Sequence, residues 1–272
     1  GAGSSEILKV AVAAFTNGNR KLVTAEPTFE AAEHYARAAG ADTVHVPLDA
    51  TYAHDLAKMG AVADAGLIYV CNPNNPTASI TPKQKVRAFL DAAPAATVVV
   101  VDEAYHHYAE GADYESVMPL IASHPNLVVA RTFSKIYAMA GMRCGYAIAQ
   151  RDIASRLRAQ QQWDSMNVVA LTGARTSLGD AKHVADGTRR NSDVKHATVD
   201  ELNRLGFTVI PSRANFIMVD TRKAVKPLIS AMRDRGVRVG RLFPALPTHM
   251  RVTIGTQDEM ERFLAAFRAV AA

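Results

Sequence analysis

Three apolar runs in the first half of the chain are each followed at once by a polar motif. GLIYVC (66–71) leads into NPNNPT (72–77), TVVVV (97–101) into DEAY (102–105), and LVVAR (127–131) into TFSK (132–135). Near-continuous apolar runs are typical of parallel strands that are covered on both faces. In an open α/β sheet the carboxyl ends of such strands share one edge, and ligands bind there. The sequence therefore predicts a parallel sheet with its polar motifs gathered at one edge.

The order of the other elements favours an α/β fold with two domains. Up to about residue 150, strand-like runs alternate with helical patterns, which predicts a mostly parallel sheet sandwiched by helices. The chain then becomes mainly helical before a set of short strands, one of them predicted at VRV (237–239). We predict a large domain over residues 1–170. A connecting helix and a smaller C-terminal α+β domain would follow over 171–272, with one larger domain as the alternative.

Two helix starts carry the capping-box signature, in which a Ser or Thr is followed three residues later by Glu or Gln. Thr81 and Gln84 form one such pair, with Pro82 at the predicted first helical position, and Thr256 and Glu259 form the other. The sequence predicts that a helix begins at each pair.

Charge and cysteine content narrow the class of protein. The 272 residues carry a formal net charge of +5, and their densest basic cluster (233–241) suits an anionic substrate better than a nucleic acid. Cys71 and Cys144 lack CxxC spacing, so we expect free thiols, a reducing compartment and no metal site. No apolar stretch reaches the length of a membrane span. We predict a cytoplasmic enzyme that acts on small molecules, with neither nucleic-acid nor membrane partners.

The polar motifs supply the side chains that the chemistry of pyridoxal phosphate requires. A carboxylate must hold the proton on the ring nitrogen, and Asp102 is the candidate. The phenolate oxygen of the ring needs hydrogen-bond donors, which Asn75 and Tyr105 can provide. The aldehyde needs a primary amine that forms a Schiff base and moves protons, and Lys135 is placed for that role.

The phosphate of such a cofactor also has predicted partners. Thr132, Ser134 and Arg143 surround the lysine with two hydroxyls and a guanidinium. The chain begins with a Gly-Ser loop that runs into an amphipathic helix, GAGSSEILKVAVAAF (1–15). The first turn of that helix offers unpaired N–H groups and the positive end of the helix dipole.

With these motifs in place, the chain resembles the fold-type-I pyridoxal-phosphate aminotransferases (class I/II), and among them the histidinol-phosphate aminotransferase-like group. The resemblance extends from Ser4 to the C-terminus. It rests on GSSE (3–6), PTF (27–29), NPNNPT (72–77), VDEAY (101–105), TFSKIYAMAGMRCGY (132–146) and MRVTIGT (250–256).

The resemblance implies a role for each matching residue. Lys135 corresponds to the lysine that bonds covalently to the cofactor, and Asp102 to the partner of its ring nitrogen. Asn75 and Tyr105 correspond to the phenolate donors. Phe29 corresponds to the aromatic that lies on the ring face. Arg251 corresponds to the arginine that binds the carboxylate or phosphate of the substrate, with Arg238 or Arg241 as a second arginine nearby. The residues that correspond to the phosphate cup are Ser4, Ser5, Thr132, Ser134 and Arg143.

The chain departs from the family pattern in three places. The segment that precedes the phosphate loop in the family, with a tyrosine that reaches the cofactor of the other subunit, has no counterpart here. Ala78 stands where glycine is usual after NPT, and its methyl group disfavours a positive φ. Gly240 stands where the second substrate arginine of the histidinol-phosphate enzymes would fall. The sequence therefore leaves the identity of the substrate open.

We predict a transaminase that moves an amino group from an amino acid or histidinol phosphate to a 2-oxo acid by a ping-pong mechanism. Decarboxylation, racemisation or oxidation would use the same cofactor residues, and a non-catalytic cofactor-binding module is a further alternative. The resemblance also implies a homodimer. A nucleotide-binding domain is disfavoured, because GAGSSE has neither a preceding strand nor a third glycine.

Overall fold

The main sheet contains six strands and confirms the predicted α/β fold. The computed structural model describes residues 1–109, 111 and 113–271. The strands are β1 (Lys21–Glu26), β2 (Thr43–Pro47), β3 (Ala65–Cys71), β4 (Val98–Asp102), β5 (Leu127–Thr132) and β6 (Gly145–Ala149). Their order is β2-β1-β3-β4-β5-β6, and β6 alone in this sheet runs antiparallel to its neighbour.

Helices cover both faces of this sheet. They are α1 (Ser4–Phe15), α2 (Ala31–Ala38), α3 (Leu56–Gly60), α4 (Lys83–Ala92) and α5 (Arg151–Ala159). Alternate strand residues point to opposite faces, so α1, α2 and α5 pack on one set of buried strand residues, and α3 and α4 pack on the other. No helix of the described residues combines the length and the apolarity that crossing a bilayer requires.

The second half of the chain forms the smaller α+β unit that the sequence predicted. Its sheet consists of antiparallel strands in the order β7-β8-β9. The elements of this half are α6 (Val168–Leu178), α7 (Ala181–Arg204), β7 (Thr208–Ile210), β8 (Phe216–Asp220), α8 (Val225–Asp234), β9 (His249–Thr253) and α9 (Gln257–Ala271).

The predicted strand at 237–239 was wrong. This segment has no regular secondary structure and follows Gly236, whose φ of 76° turns the chain at the end of α8. Gly240 N–H donates to the carbonyl oxygen of Arg251 at 2.8 Å. The segment therefore contacts the sheet through Gly240 without extending its ladder.

The 24-residue helix α7 contacts both halves of the molecule. Near its start, His183 Nε2 lies 2.9 Å from the carbonyl oxygen of Ile136, in the turn that follows Lys135. Gly187 allows Ile136 to approach, because a Cβ there would lie 3.0 Å from Ile136 Cδ1. Near its end, Leu202 is fully buried in the core of the smaller sheet. The domain boundary near residue 170 stays a prediction.

The two capping-box predictions had different outcomes. At the start of α9, Thr256 N–H donates to Glu259 Oε2 at 2.7 Å and Glu259 N–H donates to Thr256 Oγ1 at 3.3 Å, which confirms that box. The box at Thr81 was wrong, because α4 begins at Lys83 without a side-chain cap. Thr81 Oγ1 instead accepts a hydrogen bond from His54 N–H at 3.0 Å. The hydroxyl therefore stabilises a neighbouring loop.

A buried ion pair connects β5 to the chain after β4. The Glu103 side chain is 1% exposed, and Arg131 donates to its Oε2 from Nε at 3.0 Å and from Nη2 at 2.8 Å. Val117 N–H donates to the other carboxylate oxygen at 2.8 Å. The pair therefore holds a loop as well as two strand ends.

We expect Arg131→Ala to lower the free energy of unfolding by about 3–5 kcal/mol, because it leaves the Glu103 carboxylate buried without its cation. Urea denaturation of the cofactor-free protein measures this change. Arg87→Ala is the matched control, since it breaks the exposed ion pair between Arg87 and Glu115 and should change stability little. Similar small losses in both variants would contradict the expectation.

Candidate active site

The three polar motifs lie side by side at one edge of the main sheet. Strands β3, β4 and β5 are parallel neighbours, and their register pairs Cys71 with Asp102 and Asp102 with Ala130. The chain therefore leaves all three strands at nearly the same level. The edge predicted from the sequence is the one where the polar side chains meet.

A cavity of about 180 Å³ lies at this edge and contains every residue predicted to bind the cofactor. The sequence did not single out Cys71, Ala104 and Ala140, which also line it; Cys71 could have been inferred, because it directly precedes NPNNPT at a strand end. A larger cleft of about 610 Å³ between α3 and α4 contains none of the predicted site residues. The predicted residues are Ser4, Ser5, Phe29, Asn75, Asp102, Tyr105, Thr132, Ser134, Lys135 and Arg143.

Asp102 is a buried carboxyl group whose two oxygens are both held. The residue is 2% exposed, and its Oδ2 accepts a hydrogen bond from the Tyr69 hydroxyl at 3.0 Å. Its Oδ1 accepts one from Ala104 N–H at 3.1 Å. Burial raises the pKa of Asp102 to about 6, although both hydrogen bonds and the nearby Lys135 favour the charged form. The group is therefore a carboxylate above pH 6 and a neutral acid below it.

Lys135 lies in the same cavity, where its charge is disfavoured. Its Nζ is 5.0 Å from the centre of the Tyr105 ring. Burial lowers the pKa of Lys135, Asp102 opposes that shift, and Arg251 and Arg143 add to it. A lysine with a lowered pKa is more often a free amine, which is the form that attacks a carbonyl carbon.

Tyr105 is positioned as a neutral donor. Its ring packs edge-to-face on Phe216 with 5.2 Å between the ring centres. Burial raises the pKa of the Tyr105 hydroxyl above its ordinary value, so the hydroxyl keeps its proton at neutral pH.

The other end of the cavity is suited to a phosphate. Arg143 donates from Nη1 to Ser134 Oγ at 3.3 Å, and Thr132 Oγ1 donates to Ser134 Oγ at 2.9 Å. Gly3 precedes α1 at φ 83°, and a Cβ there would lie 2.2 Å from Arg143 Nη2, so this close approach requires glycine. No side chain caps the first turn of α1. Hydroxyls, a guanidinium and the amino end of a helix therefore converge here.

Arg251 reaches the site from β9 of the smaller sheet. Its Nη1 donates to Asn75 Oδ1 at 2.7 Å. The guanidinium lies 5.2 Å from the ring centre of Phe216 and 5.1 Å from that of Phe243. Its Nε is buried without a hydrogen-bond partner among the described residues. Arg251 thus contacts the cavity through its bond to Asn75, and that contact leaves the Asn75 amide group free to donate.

The structure separates the two other predicted substrate arginines. Arg241 pairs with Glu30 and stacks at 4.3 Å on the ring centre of Phe243, on which Arg251 also packs. Arg238 instead lines a different cavity with Ile229, Arg233 and Val239. The structure brings together Arg241 and Arg251 but not Arg238.

Gly240 and Ala78 are two positions at which the chain departs from the family pattern, and the structure shows the surroundings of each. A Cβ at Gly240 would lie 2.9 Å from the carbonyl oxygen of Arg251 and 3.0 Å from its Cβ, so no larger residue fits without movement. Ala78 adopts φ 59° despite its methyl group. Its carbonyl oxygen accepts a hydrogen bond from Arg213 N–H at 2.7 Å, which contributes to holding this conformation.

This set of donors and acceptors fits pyridoxal phosphate. Asp102 can hold a protonated ring nitrogen, and the free amide of Asn75 and the hydroxyl of Tyr105 can donate to a phenolate oxygen. Lys135 offers the amine, and the uncapped end of α1 faces Arg143 beside two hydroxyls. Each polar group of the cofactor thus has a complementary group in the cavity.

Comparison with known proteins agrees with this fit. The sequence profile described as "Aminotransferase class I and II" matches residues 1–267. The chain is 35% identical over 277 residues to histidinol-phosphate aminotransferase of Moorella thermoacetica, covering 100% of this chain and 71% of that protein. It is 36% identical over 275 residues to histidinol-phosphate aminotransferase 2 of Pseudomonas aeruginosa, covering 100% and 74%.

Solved structures share the fold. Histidinol-phosphate aminotransferase of Sinorhizobium meliloti, in complex with pyridoxal-5'-phosphate, matches with a TM-score of 0.92 and 26% identity over 100% of this chain and 75% of that one. L-threonine-O-3-phosphate decarboxylase of Porphyromonas gingivalis matches with a TM-score of 0.85 at 22% identity, over 98% and 81%. Since a decarboxylase shares the architecture, the fold alone does not select the reaction.

Proposed function

Because the chain belongs to the class I and II aminotransferases, we propose that its amino donor carries an anionic group that Arg251 binds, and that histidinol phosphate is the first donor to test. The protein is a pyridoxal-phosphate-dependent aminotransferase that acts on amino and 2-oxo acids. The observation that carries the substrate proposal is the partly buried guanidinium of Arg251, which reaches the cavity from the smaller sheet and donates from Nη1 to Asn75 Oδ1 at 2.7 Å. Relatives named histidinol-phosphate aminotransferase support the choice of donor.

The proposed roles follow from the geometry of the cavity. When bound, pyridoxal phosphate supplies an aldehyde for covalent attachment and a ring that withdraws electrons from the substrate. Asp102 would hold a proton at the ring nitrogen, and Asn75 and Tyr105 would donate to the phenolate oxygen. Lys135 Nζ would supply the amine for covalent attachment and the base for the proton on the alpha carbon of the donor.

The remaining side chains orient the reactants. Phe29 lines the cavity and would be the aromatic that lies on the ring face. The phosphate partners are proposed at the end where α1 meets Arg143. Arg251 fixes the substrate anion, and Arg241 lies close enough to add a second positive charge. A substrate held at both ends loses little further entropy on reaching the reactive geometry.

A donor panel tests the proposed substrate. Purified protein with the cofactor is mixed with histidinol phosphate, histidine, aspartate or an aromatic amino acid, each with 2-oxoglutarate, and product is quantified in each reaction. We expect a stoichiometric requirement for the 2-oxo acid and the highest kcat/KM for histidinol phosphate. A higher value for a donor without the phosphate would refute the proposed substrate. Product without a 2-oxo acid would favour decarboxylation, racemisation or oxidation.

Arg251→Ala should raise the KM of the anionic donor about 10–100-fold and change kcat less, because a hydrogen bond to a charged group contributes about 1.5–3 kcal/mol. Arg238→Ala is the control, since this arginine lies in a different cavity and should leave both constants unchanged. Steady-state kinetics with saturating 2-oxo acid measures both variants. An unchanged KM in Arg251→Ala would remove this residue from the substrate site.

We also propose that the protein is a homodimer. Trp163, Val168 and Leu171 are 91%, 73% and 55% exposed, and they lie at and before the start of α6. Exposed large apolar side chains that gather in one patch are typical of interfaces. Sedimentation velocity tests the proposal, and a monomer mass at micromolar concentration would contradict it.

A further inference from the structure

Tyr69 is a core residue whose hydroxyl reaches the site. Its side chain is 0% exposed, and the hydroxyl donates to Asp102 Oδ2 at 3.0 Å. The register pairs Tyr69 of β3 with Val100 of β4, two residues before Asp102. Successive strand residues alternate between faces, so Tyr69 and Asp102 lie on the same face. The phenol therefore extends toward the carboxyl edge of the sheet and ends at the carboxylate.

This contact completes the hydrogen bonding that fixes the carboxylate. Ala104 N–H holds Oδ1 and the Tyr69 hydroxyl holds Oδ2, so the group cannot rotate without breaking one of the two bonds. Each carboxylate oxygen has room for a second hydrogen bond, which leaves one position on each oxygen for a ligand. Burial raises the pKa of Tyr69 well above its ordinary value, so the hydroxyl keeps its proton and remains a donor at neutral pH.

The hydroxyl also opposes the effect of burial on Asp102. Burial favours the neutral acid, whereas a hydrogen bond to the charged form favours the carboxylate. Tyr69 is the first of the groups that lower the pKa of Asp102 against the effect of burial. Titratable groups around Asp102 include Lys135, whose charge favours ionisation, and Glu103, whose charge disfavours it. Among the described residues, neither Lys135 nor Glu103 forms a side-chain hydrogen bond with the Asp102 carboxylate.

We propose that Tyr69 is a positioning residue for transamination, which holds the Asp102 carboxylate ionised and oriented toward the ring nitrogen of pyridoxal phosphate. The inference rests on the proposed role of Asp102. A purely structural Tyr69, packed in the core beneath α1 and α2, would affect stability alone. A positioning Tyr69 must also affect how Asp102 titrates.

The test is Tyr69→Phe, which removes only the hydroxyl. Equilibrium dialysis of the cofactor-free protein against pyridoxal phosphate between pH 5 and pH 8 measures the Kd at each pH. We expect the loss of affinity on acidification to begin about one pH unit higher than in the wild type, so that binding is about twofold weaker at pH 7 and nearly tenfold weaker at about pH 5. The phosphate group of the cofactor also titrates between pH 5 and pH 8, and it does so equally with the wild type and each variant. The contribution of Asp102 is therefore the pH dependence that the wild type shows and Asp102→Asn lacks.

Two controls separate an effect of Tyr69 on the Asp102 carboxylate from an effect on core packing. Tyr35→Phe makes the same chemical change in a residue of α2 that packs against the same core, and it should leave the pH dependence unchanged. Thermal unfolding of the cofactor-free variants measures stability separately from binding.

The outcomes distinguish this inference from the function on which it rests. A Tyr69→Phe curve that coincides with the wild type, while Asp102→Asn differs, overturns the role of Tyr69 and leaves that of Asp102 standing. An Asp102→Asn curve that coincides with the wild type overturns the proposed role of Asp102, and the role of Tyr69 with it.

Discussion

Replacing Lys135 with alanine should lower transamination by at least about 10⁴-fold. The variant would lose the amine that we propose bonds to the cofactor and the base that we propose moves the substrate proton, and proton transfer by a positioned group alone contributes about 10²–10⁴-fold. The structure supports both roles, because the amine lies in the cavity with its pKa lowered by burial. The fold should persist, since the substitution removes a partly exposed side chain at the end of a strand.

Two measurements check this expectation. Steady-state kinetics gives the loss of activity. Borohydride treatment followed by peptide mass analysis should find the cofactor attached at residue 135 in the wild type and absent from the variant. Lys9→Ala, which changes an exposed lysine on α1, is the control and should behave like the wild type. A Lys135→Ala protein that keeps its activity and the attached cofactor would refute the assignment.

Asp102→Asn should lower kcat/KM by about 10²–10³-fold, the range expected when one preorganised electrostatic contact is removed at a reacting centre. Asparagine has nearly the same shape but carries no charge to hold the proton at the ring nitrogen. Asp152→Asn, on the exposed first turn of α5, is the matched control and should leave kcat/KM unchanged. An Asp102→Asn variant within twofold of the wild type, with equal cofactor content, would contradict the proposed role.

The pH dependence of cofactor binding gives a second, independent test of Asp102. Because its pKa is raised to about 6 by burial, the cofactor-free protein loses this negative charge as the pH falls below 6. Relative to Asp102→Asn, the affinity of the wild type should therefore fall by up to about tenfold per pH unit below 6 and level off above it. A constant ratio of the two affinities between pH 5 and pH 8 would contradict this expectation.

The strand ends of the main sheet were predictable because they depend on local sequence. Runs of apolar residues mark buried parallel strands, and such strands place the residues that follow them at one edge. Asp102 and Lys135 each end or follow a run of this kind, so their proximity in the cavity follows from the fold class. Cofactor recognition at this edge needs little information from distant parts of the chain.

Contacts between distant segments were not predictable in the same way. Arg251 and Asn75 are 176 residues apart, and their hydrogen bond depends on how the smaller sheet meets the larger one. Tyr69 has the pattern of an ordinary core residue of a strand, and the partner of its hydroxyl depends on the register of β3 with β4. Arg238 and Arg241 could not be told apart, because the strand predicted at 237–239, which would have set the direction of Arg238, does not form.

The helix α7 links the two halves of the molecule. At about 1.5 Å per residue its 24 residues span roughly 36 Å. One end packs on the turn that carries Lys135 and the other is anchored in the core beneath the strand of Arg251. A continuous helix resists stretching and sharp bending. A shift in the packing of the smaller core would therefore move this helix and, with it, the turn that carries Lys135.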